Sequence, residues 1–276
     1  MASNADKKNE ARAKREEAQA QAAARAKRMK MVQYLAGAVF LAIVVVVLVV
    51  VITGGKDKGG GASEGGDAKV QGVAETKALL NGIEQNGLTI GDPKAPVTIV
   101  EFVDVQCPFC KNHQLDQQPK IIKELVRTGK ARLSLKPIAL SFMGEDSEAG
   151  RTVAIRLSEK DLAWPFLNLF YWNQGQEQSG YVTDEFLKKL VVAAGGDAAD
   201  ASPREPSPEE AKKLAEIDAL QEPLNVTGTP SFAIGKTGDD PKTYKPFEAS
   251  SADVADDLIK AVDELKAGTA SDSSGT

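Results

Sequence analysis

The chain has 276 residues, 42% of them hydrophobic, and carries a net charge of −5. That is room for one ordinary globular domain plus extra segments, with enough apolar matter for a core that needs no disulfide staples. Two cysteines and one histidine exclude both a disulfide framework and an ordinary four-ligand zinc site built from Cys and His alone.

The charge is unevenly spread. Residues 1–31 hold nine Lys/Arg against four Asp/Glu, whereas 54–276 hold 25 against 35. Between them the run Tyr34 to Ile52 has neither charge nor proline. A helix of about 20 such residues spans a bilayer core of about 30 Å. Arg25, Lys27, Arg28 and Lys30 precede the run, so the positive-inside rule puts the N-terminus in the cytoplasm and the rest outside. The rival reading is a cleaved signal peptide. It is disfavoured by the length of the run and by the lack of a small-x-small site after Ile52. The basic segment reads as a flank that sets topology, with no nucleic-acid partner. The expected organisation is a cytoplasmic segment at 1–31, a single transmembrane anchor at 32–53 and a Gly/Ser-rich tether at 54–72. A folded head follows at 73–267, with a disordered tail at 268–276.

Within the head, Val97 to Val103 is a β-branched run that reads as a buried strand leading into Cys107. Pro108 suits the first position of a helix, because the N–H it lacks would be unpaired there. Leu115, Ile121, Ile122, Leu125 and Val126 carry that helix to about Arg127, with a bend expected at Pro119. Ala131 to Lys136 reads as a second strand. From about 140 to 224 the periodicity is helical. Helices are expected from Gly144 onward, over Asp161 to Asn173 with an interruption at Pro165, over Thr183 to Ala194, and over Pro208 to Gln221. Ser231 to Gly235 and Thr243 to Phe247 read as two more strands, and Ser251 to Lys266 as an amphipathic helix. The order implies an α/β fold: a thioredoxin-like sheet with a helical insertion, preceded by one transmembrane helix. The aromatic group Trp164, Phe166, Phe170, Tyr171 and Trp172 could line a groove, but its helical spacing favours core packing.

The two cysteines sit two residues apart in Cys107-Pro108-Phe109-Cys110. Such a pair can close into a small disulfide ring and reopen, as thiol–disulfide exchange requires. A zinc site completed by His113 and carboxylates, or an inert local disulfide, would be the competing uses. Cys107 stands at a strand-to-helix junction. Unpaired N–H groups and the helix dipole there stabilise a thiolate, lowering its pKa below the usual value of about 8.5. Cys107 is therefore the expected nucleophile and Cys110 the more buried, resolving thiol. His113 reads as an ordinary helix-face histidine. The Thr229-Pro230 bond reads, from its residues alone, as a trans turn.

The stretch Gly91-Asp92-Pro93-Lys94-Ala95-Pro96-Val97-Thr98-Ile99-Val100-Glu101-Phe102, followed by Asp104-Val105-Gln106-Cys107-Pro108-Phe109-Cys110, resembles membrane-anchored DsbA-like thiol-disulfide oxidoreductases of Gram-positive and actinobacterial type. Val226-Thr227-Gly228-Thr229-Pro230-Ser231-Phe232 is similar to their cis-proline segment, and Trp172-Asn173-Gln174-Gly175 to part of their inserted helices. The resemblance covers about 88–265. It implies a cis Thr229–Pro230 bond, with Pro108, Phe109, Thr229 and Pro230 facing substrate. It also implies that Glu101 is a buried acid moving a proton to or from Cys110; the competing reading is a surface carboxylate on a strand end. It implies oxidation of exported proteins through a redox-active disulfide with no metal or organic cofactor. The partners would be reduced exported proteins and a membrane reoxidase of the DsbB or vitamin K epoxide reductase-like kind. A monomer is the default. The best-known members carry histidine between the cysteines; this chain has uncharged Phe109, which implies a weaker oxidant. The competing functions are a reductase or isomerase using the same pair, and a tethered binding or chaperone-like module.

Overall fold

The computed structural model describes residues 69–202 and 205–273. The basic segment, the apolar run Tyr34 to Ile52 and most of the tether lie outside the described residues. Among those described, no helix is long and apolar enough to cross a membrane.

The head opens with α1 (Val73–Leu80) and a two-stranded ribbon, β1 (Gln85–Asn86) and β2 (Thr89–Ile90). This ribbon was not expected, because two-residue strands leave no periodicity to read. Then come β3 (Val97–Val103), the long helix α2 (108–126) and β4 (Ala131–Pro137). Four helices follow: α3 (Glu145–Ser158), α4 (Ala163–Trp172), α5 (Asp184–Ala193) and α6 (Pro208–Asp218). The chain returns through β5 (Ser231–Lys236) and β6 (Lys245–Phe247) to α7 (Val254–Ser273). The last helix thus runs past its expected end at Lys266.

The strands form one sheet in the order β1-β2-β4-β3-β5-β6, with β3 and β4 parallel and the other pairs antiparallel. This is the expected thioredoxin-like α/β architecture, with the helices inserted between β4 and β5. All seven residues of β3 are buried, as a central strand covered on both faces must be. Val97, Ile99 and Val103 join the main core with Ile121, Ile122 and Leu125 of α2 and Leu258 and Val262 of α7. Val100 and Phe102 point the other way, onto Ile155 of α3 and Leu214 and Ile217 of α6. The period of two therefore places Glu101 inward, under α2.

One proline acts differently from expectation. Pro165 does not interrupt its helix. It lies in the first turn of α4, where its missing N–H would be unpaired anyway. Ahead of Pro119, α2 widens into a π turn, in which the Gln118 N–H donates to the His113 carbonyl five residues back. The extra residue turns His113, Gln114 and Gln118 all inward, and each is buried. Most of the aromatic group is core: Trp164, Phe166, Phe170 and Tyr171 are buried, Trp172 is half-buried, and the Trp164 indole N–H donates to the Leu88 carbonyl at 2.9 Å.

Candidate functional site

β3 delivers the chain to Cys107, which caps α2 with extended backbone (φ −68°, ψ 120°), and Pro108 begins the helix. Both cysteines are buried free thiols. The Cys107 thiol donates to the Thr229 carbonyl at 3.3 Å, so the loop before β5 closes over the pair. The Thr229–Pro230 bond is cis. The Cys107 pKa is lowered from 9.0 to about 6. The Cys110 thiol, donating to the Cys107 sulfur, is the largest cause; burial opposes it, and the Thr229 side chain with the N–H groups of Phe109 and Cys110 adds to it. Cys110 moves the other way. Burial pushes its thiol well up, and the neighbouring Cys107 charge pushes it further. The pair is thus split into one sulfur that ionises readily and one that holds its proton. Phe109 between them is 73% exposed and adds no charge.

Glu101 lies beneath the same helix and is 1% exposed. Its carboxylate accepts from Gln114 Nε2 at 2.7 Å and Gln118 Nε2 at 3.1 Å. His113 Nε2 stands 3.4 Å from Glu101 Oε1 and 2.9 Å from Gln118 Oε1. Burial raises the Glu101 pKa, against the His113 charge and the two amide donors. Glu101 is therefore no surface carboxylate. Nor is His113 a helix-face histidine: it is 4% exposed, and its ring packs against Phe232 at 5.0 Å. The widened turn of α2, invisible to a 3.6-residue reading, brought it inside. Among the described residues, Glu101 has no direct hydrogen bond to either sulfur, and no group of three or more His, Cys, Asp or Glu could hold a metal ion.

A model described as thioredoxin matches residues 84–250, well over half of the chain. The chain belongs to the thioredoxin family. Among curated relatives, a probable disulfide bond formation protein D of Bacillus cereus is 32% identical over 105 residues, 37% of this chain and 48% of that protein. The disulfide bond formation protein D of Bacillus subtilis is 26% identical over 146 residues, 52% and 66% of the two chains. The first match thus spans about half the length of the curated relative. Among solved structures, oxidised BdbD from Bacillus subtilis aligns with a TM-score of 0.53 at 21% identity, covering 65% of this chain and 92% of that one. Wolbachia pipientis alpha-DsbA1 aligns with a TM-score of 0.52 at 18% identity, covering 69% and 94%. Within the thioredoxin family, then, the fold is DsbA-like, with helices inserted between β4 and β5.

The thioredoxin-family sheet alone does not hold the cysteine loop; the inserted helices help. Gln174 Nε2 donates to the carbonyls of Val105 (2.7 Å) and Cys107 (3.1 Å), and Tyr171 Oη to that of Asp104 (3.2 Å). Asp104, fully buried, accepts from Gln106 N, Leu140 N and Ser147 Oγ, the last at 2.6 Å. Burial raises its pKa, and the Ser147 hydroxyl opposes that most strongly. Gly150 of α3 allows the approach, since a Cβ there would meet Val105 Cγ2 at 2.7 Å. Asp104, Gln106 and Tyr171 were overlooked as site residues in the sequence. The visible signal was their adjacency to the two motifs: Asp104 and Gln106 precede Cys107, and Tyr171 precedes Trp172-Asn173-Gln174.

Proposed function

We propose that this chain is an extracytoplasmic thiol–disulfide oxidoreductase that introduces disulfides into exported proteins through Cys107 and Cys110. The observation that carries the reading is the split pair: Cys107 is lowered to about 6 while Cys110 is pushed well above its usual value. Only the thiolate is a nucleophile or a good leaving group. In the oxidising direction, a substrate thiolate attacks Cys107 Sγ of the enzyme disulfide. The Cys107–Cys110 bond breaks, and Cys110 leaves and takes up a proton. A second substrate thiolate then attacks the substrate sulfur of the mixed disulfide and expels Cys107 as a thiolate. Two electrons pass from the substrate thiols to the enzyme pair.

Glu101 is the group that stores the proton for Cys110. Its burial beneath the helix that bears Cys110, and its raised pKa, support that role. Pro108, exposed Phe109, Thr229 and Pro230 form the face offered to substrate. A low Cys107 pKa stabilises the dithiol form and makes the disulfide oxidising. The lack of a cation at Phe109 keeps the potential below the extreme of about −120 mV. The relatives' names, as disulfide bond formation proteins, support the oxidising direction. The apolar run Tyr34 to Ile52 would anchor the head outside the membrane, with the basic flank in the cytoplasm. There it would meet reduced exported proteins and a membrane reoxidase of the DsbB or vitamin K epoxide reductase-like kind.

The test is the redox equilibrium of the full chain in detergent against glutathione, with free thiols counted. A potential between about −180 and −120 mV is the expected outcome. A value near −270 mV would turn the assignment to a reductase, and the lack of any reversible pair would turn it to a binding module.

A further inference from the structure

The nitrogen atoms of His113 are placed in a way that packing alone does not require. The ring is 4% exposed and packs tilted against Phe232, with centroids 5.0 Å apart, a contact in which a phenylalanine would need no partners. Its Nε2 faces two oxygens, Gln118 Oε1 at 2.9 Å and Glu101 Oε1 at 3.4 Å. A bare nitrogen can bond to neither, so Nε2 carries a proton. That choice fixes Gln118, which accepts from His113 and donates to Glu101 Oε2. Gln114 also donates to Glu101. Every donor in the cluster therefore points, directly or through one amide, at a single carboxylate.

His113 Nδ1 is buried and has no hydrogen-bond partner. All polar contacts of the ring are thus made from Nε2, toward Gln118 and toward the Glu101 carboxylate at 3.4 Å. The other titratable groups of this region are Cys107 at the cap of α2, Cys110 within it, Asp104 after β3 and Tyr171 of α4. The Tyr171 hydroxyl is tied to the Asp104 carbonyl, and its ionisation is opposed by its own burial and then by Cys110, Asp104, Glu101 and Cys107. β5 contributes the Phe232 ring, and α7 contributes Leu258 and Val262 to the same core.

We propose that His113 is a positioning residue for Glu101: from Nε2 it orients the carboxylate and favours its ionised form, and so sets the pH at which Cys110 exchanges its proton. This rests on the assignment of Cys107 and Cys110 as an exchanging pair. In the oxidising direction, Cys110 leaves the enzyme disulfide as a thiolate and takes one proton from Glu101, which is reprotonated from solvent. In reverse, the Cys110 thiol gives its proton to Glu101 before attacking Cys107 Sγ.

The test uses the full chain in the dithiol form, mixed with one equivalent of Ellman's reagent. The first thionitrobenzoate is released when Cys107 attacks the reagent. The second is released when Cys110 attacks Cys107 Sγ of the mixed disulfide, and its rate is followed from pH 5 to 9. His113→Phe should move the rising limb of the second phase to higher pH and slow it about tenfold at pH 6. His113→Gln, which keeps a donor near the Nε2 position, should return the limb toward its original place. The Cys107 titration, read as thiolate absorbance, should not move in either variant. In a Glu101→Gln background His113→Phe should have no further effect on the limb. An unmoved limb in a folded His113→Phe, a shift that persists without Glu101, or a folded His113→Gln that fails to restore the limb would overturn the assignment. If the unsubstituted chain released no second thionitrobenzoate, the dithiol reading itself would fall.

Discussion

Two buried carboxylates in this molecule have opposite electrostatics. Glu101, under α2, is 1% exposed; Glu210, in the first turn of α6, is 6% exposed. Burial pushes both upward. At Glu210 it is outweighed: Arg156 grips the carboxylate with Nε at 2.7 Å and Nη2 at 2.9 Å, and the Ser207 N–H donates at 2.8 Å, leaving its pKa lowered. At Glu101 the neighbours are two amides and one histidine, and burial wins. A carboxylate held by a permanent cation and a capping box has no reason to accept a proton near neutral pH, so it serves as a joint. A carboxylate held by two amides and a histidine, without a permanent cation, sits closer to the balance between its two states, and a proton store needs that balance. The joint ties the inserted helices together, and Glu101, the proposed store, lies under the helix that begins at the cysteines.

The comparison is sharpest when the joint is broken. Arg156→Leu strands Glu210 without its cation and should cost about 3 kcal/mol. A urea melt at pH 7 should show that loss, while thiol exchange by the folded protein stays unchanged. The sign with pH follows from the lowered pKa of Glu210. Its contribution is present above the unfolded carboxylate value and fades as pH falls through the folded one. The penalty of Arg156→Leu should therefore shrink in acid. A slowed exchange in the folded variant would mean that the two carboxylates are not separate devices.

Glu101→Gln should act in the other direction and by less. Because the pKa of Glu101 is raised, its protonated form is the one the fold prefers. That preference is fully present below the unfolded value and is lost as pH rises through the folded one. The amide should therefore be close to neutral for stability at pH 4 and stabilising at pH 8, by on the order of 1 kcal/mol. Paired urea melts at the two pH values check this. Destabilisation at both would make Glu101 a second joint.

The joint was easier to anticipate than the proposed store, and the reason is local. Pro208 with two acidic residues after it marks a helix start from sequence alone, and that helix begins at Pro208 as expected. The run Val97 to Val103 gave its strand limits through β-branching, and Cys107 with Pro108 gave the helix start. What the residues could not disclose was the side on which Glu101 and His113 would lie. Glu101 needed a strand covered on both faces. His113 needed the π turn ahead of Pro119, which shifts the helical register by one residue. The β1–β2 ribbon was missed because its strands are two residues each. The grip of Asp104 on Ser147 and Leu140 joins residues 36 or more positions apart, which local pattern does not encode.

The smallest effect belongs to a charge placed in water. Phe109→His would restore the residue type that the best-known DsbA-like members carry between their cysteines. Position 109 is 73% exposed, in the first turn of α2 beside Cys107. An imidazolium there favours the Cys107 thiolate, stabilises the dithiol and makes the disulfide more oxidising. Solvent and salt screen it, unlike the charges around Glu101 and Glu210. The equilibrium constant against glutathione should change less than tenfold, or about 30 mV. The gain should fade above about pH 6.5, as the imidazole loses its proton, and should be smaller at 1 M salt. A shift of equal size at high salt and pH 8 would trace the effect to removal of the Phe109 ring. The contrast between buried and exposed charge would then not extend to the mouth of the site.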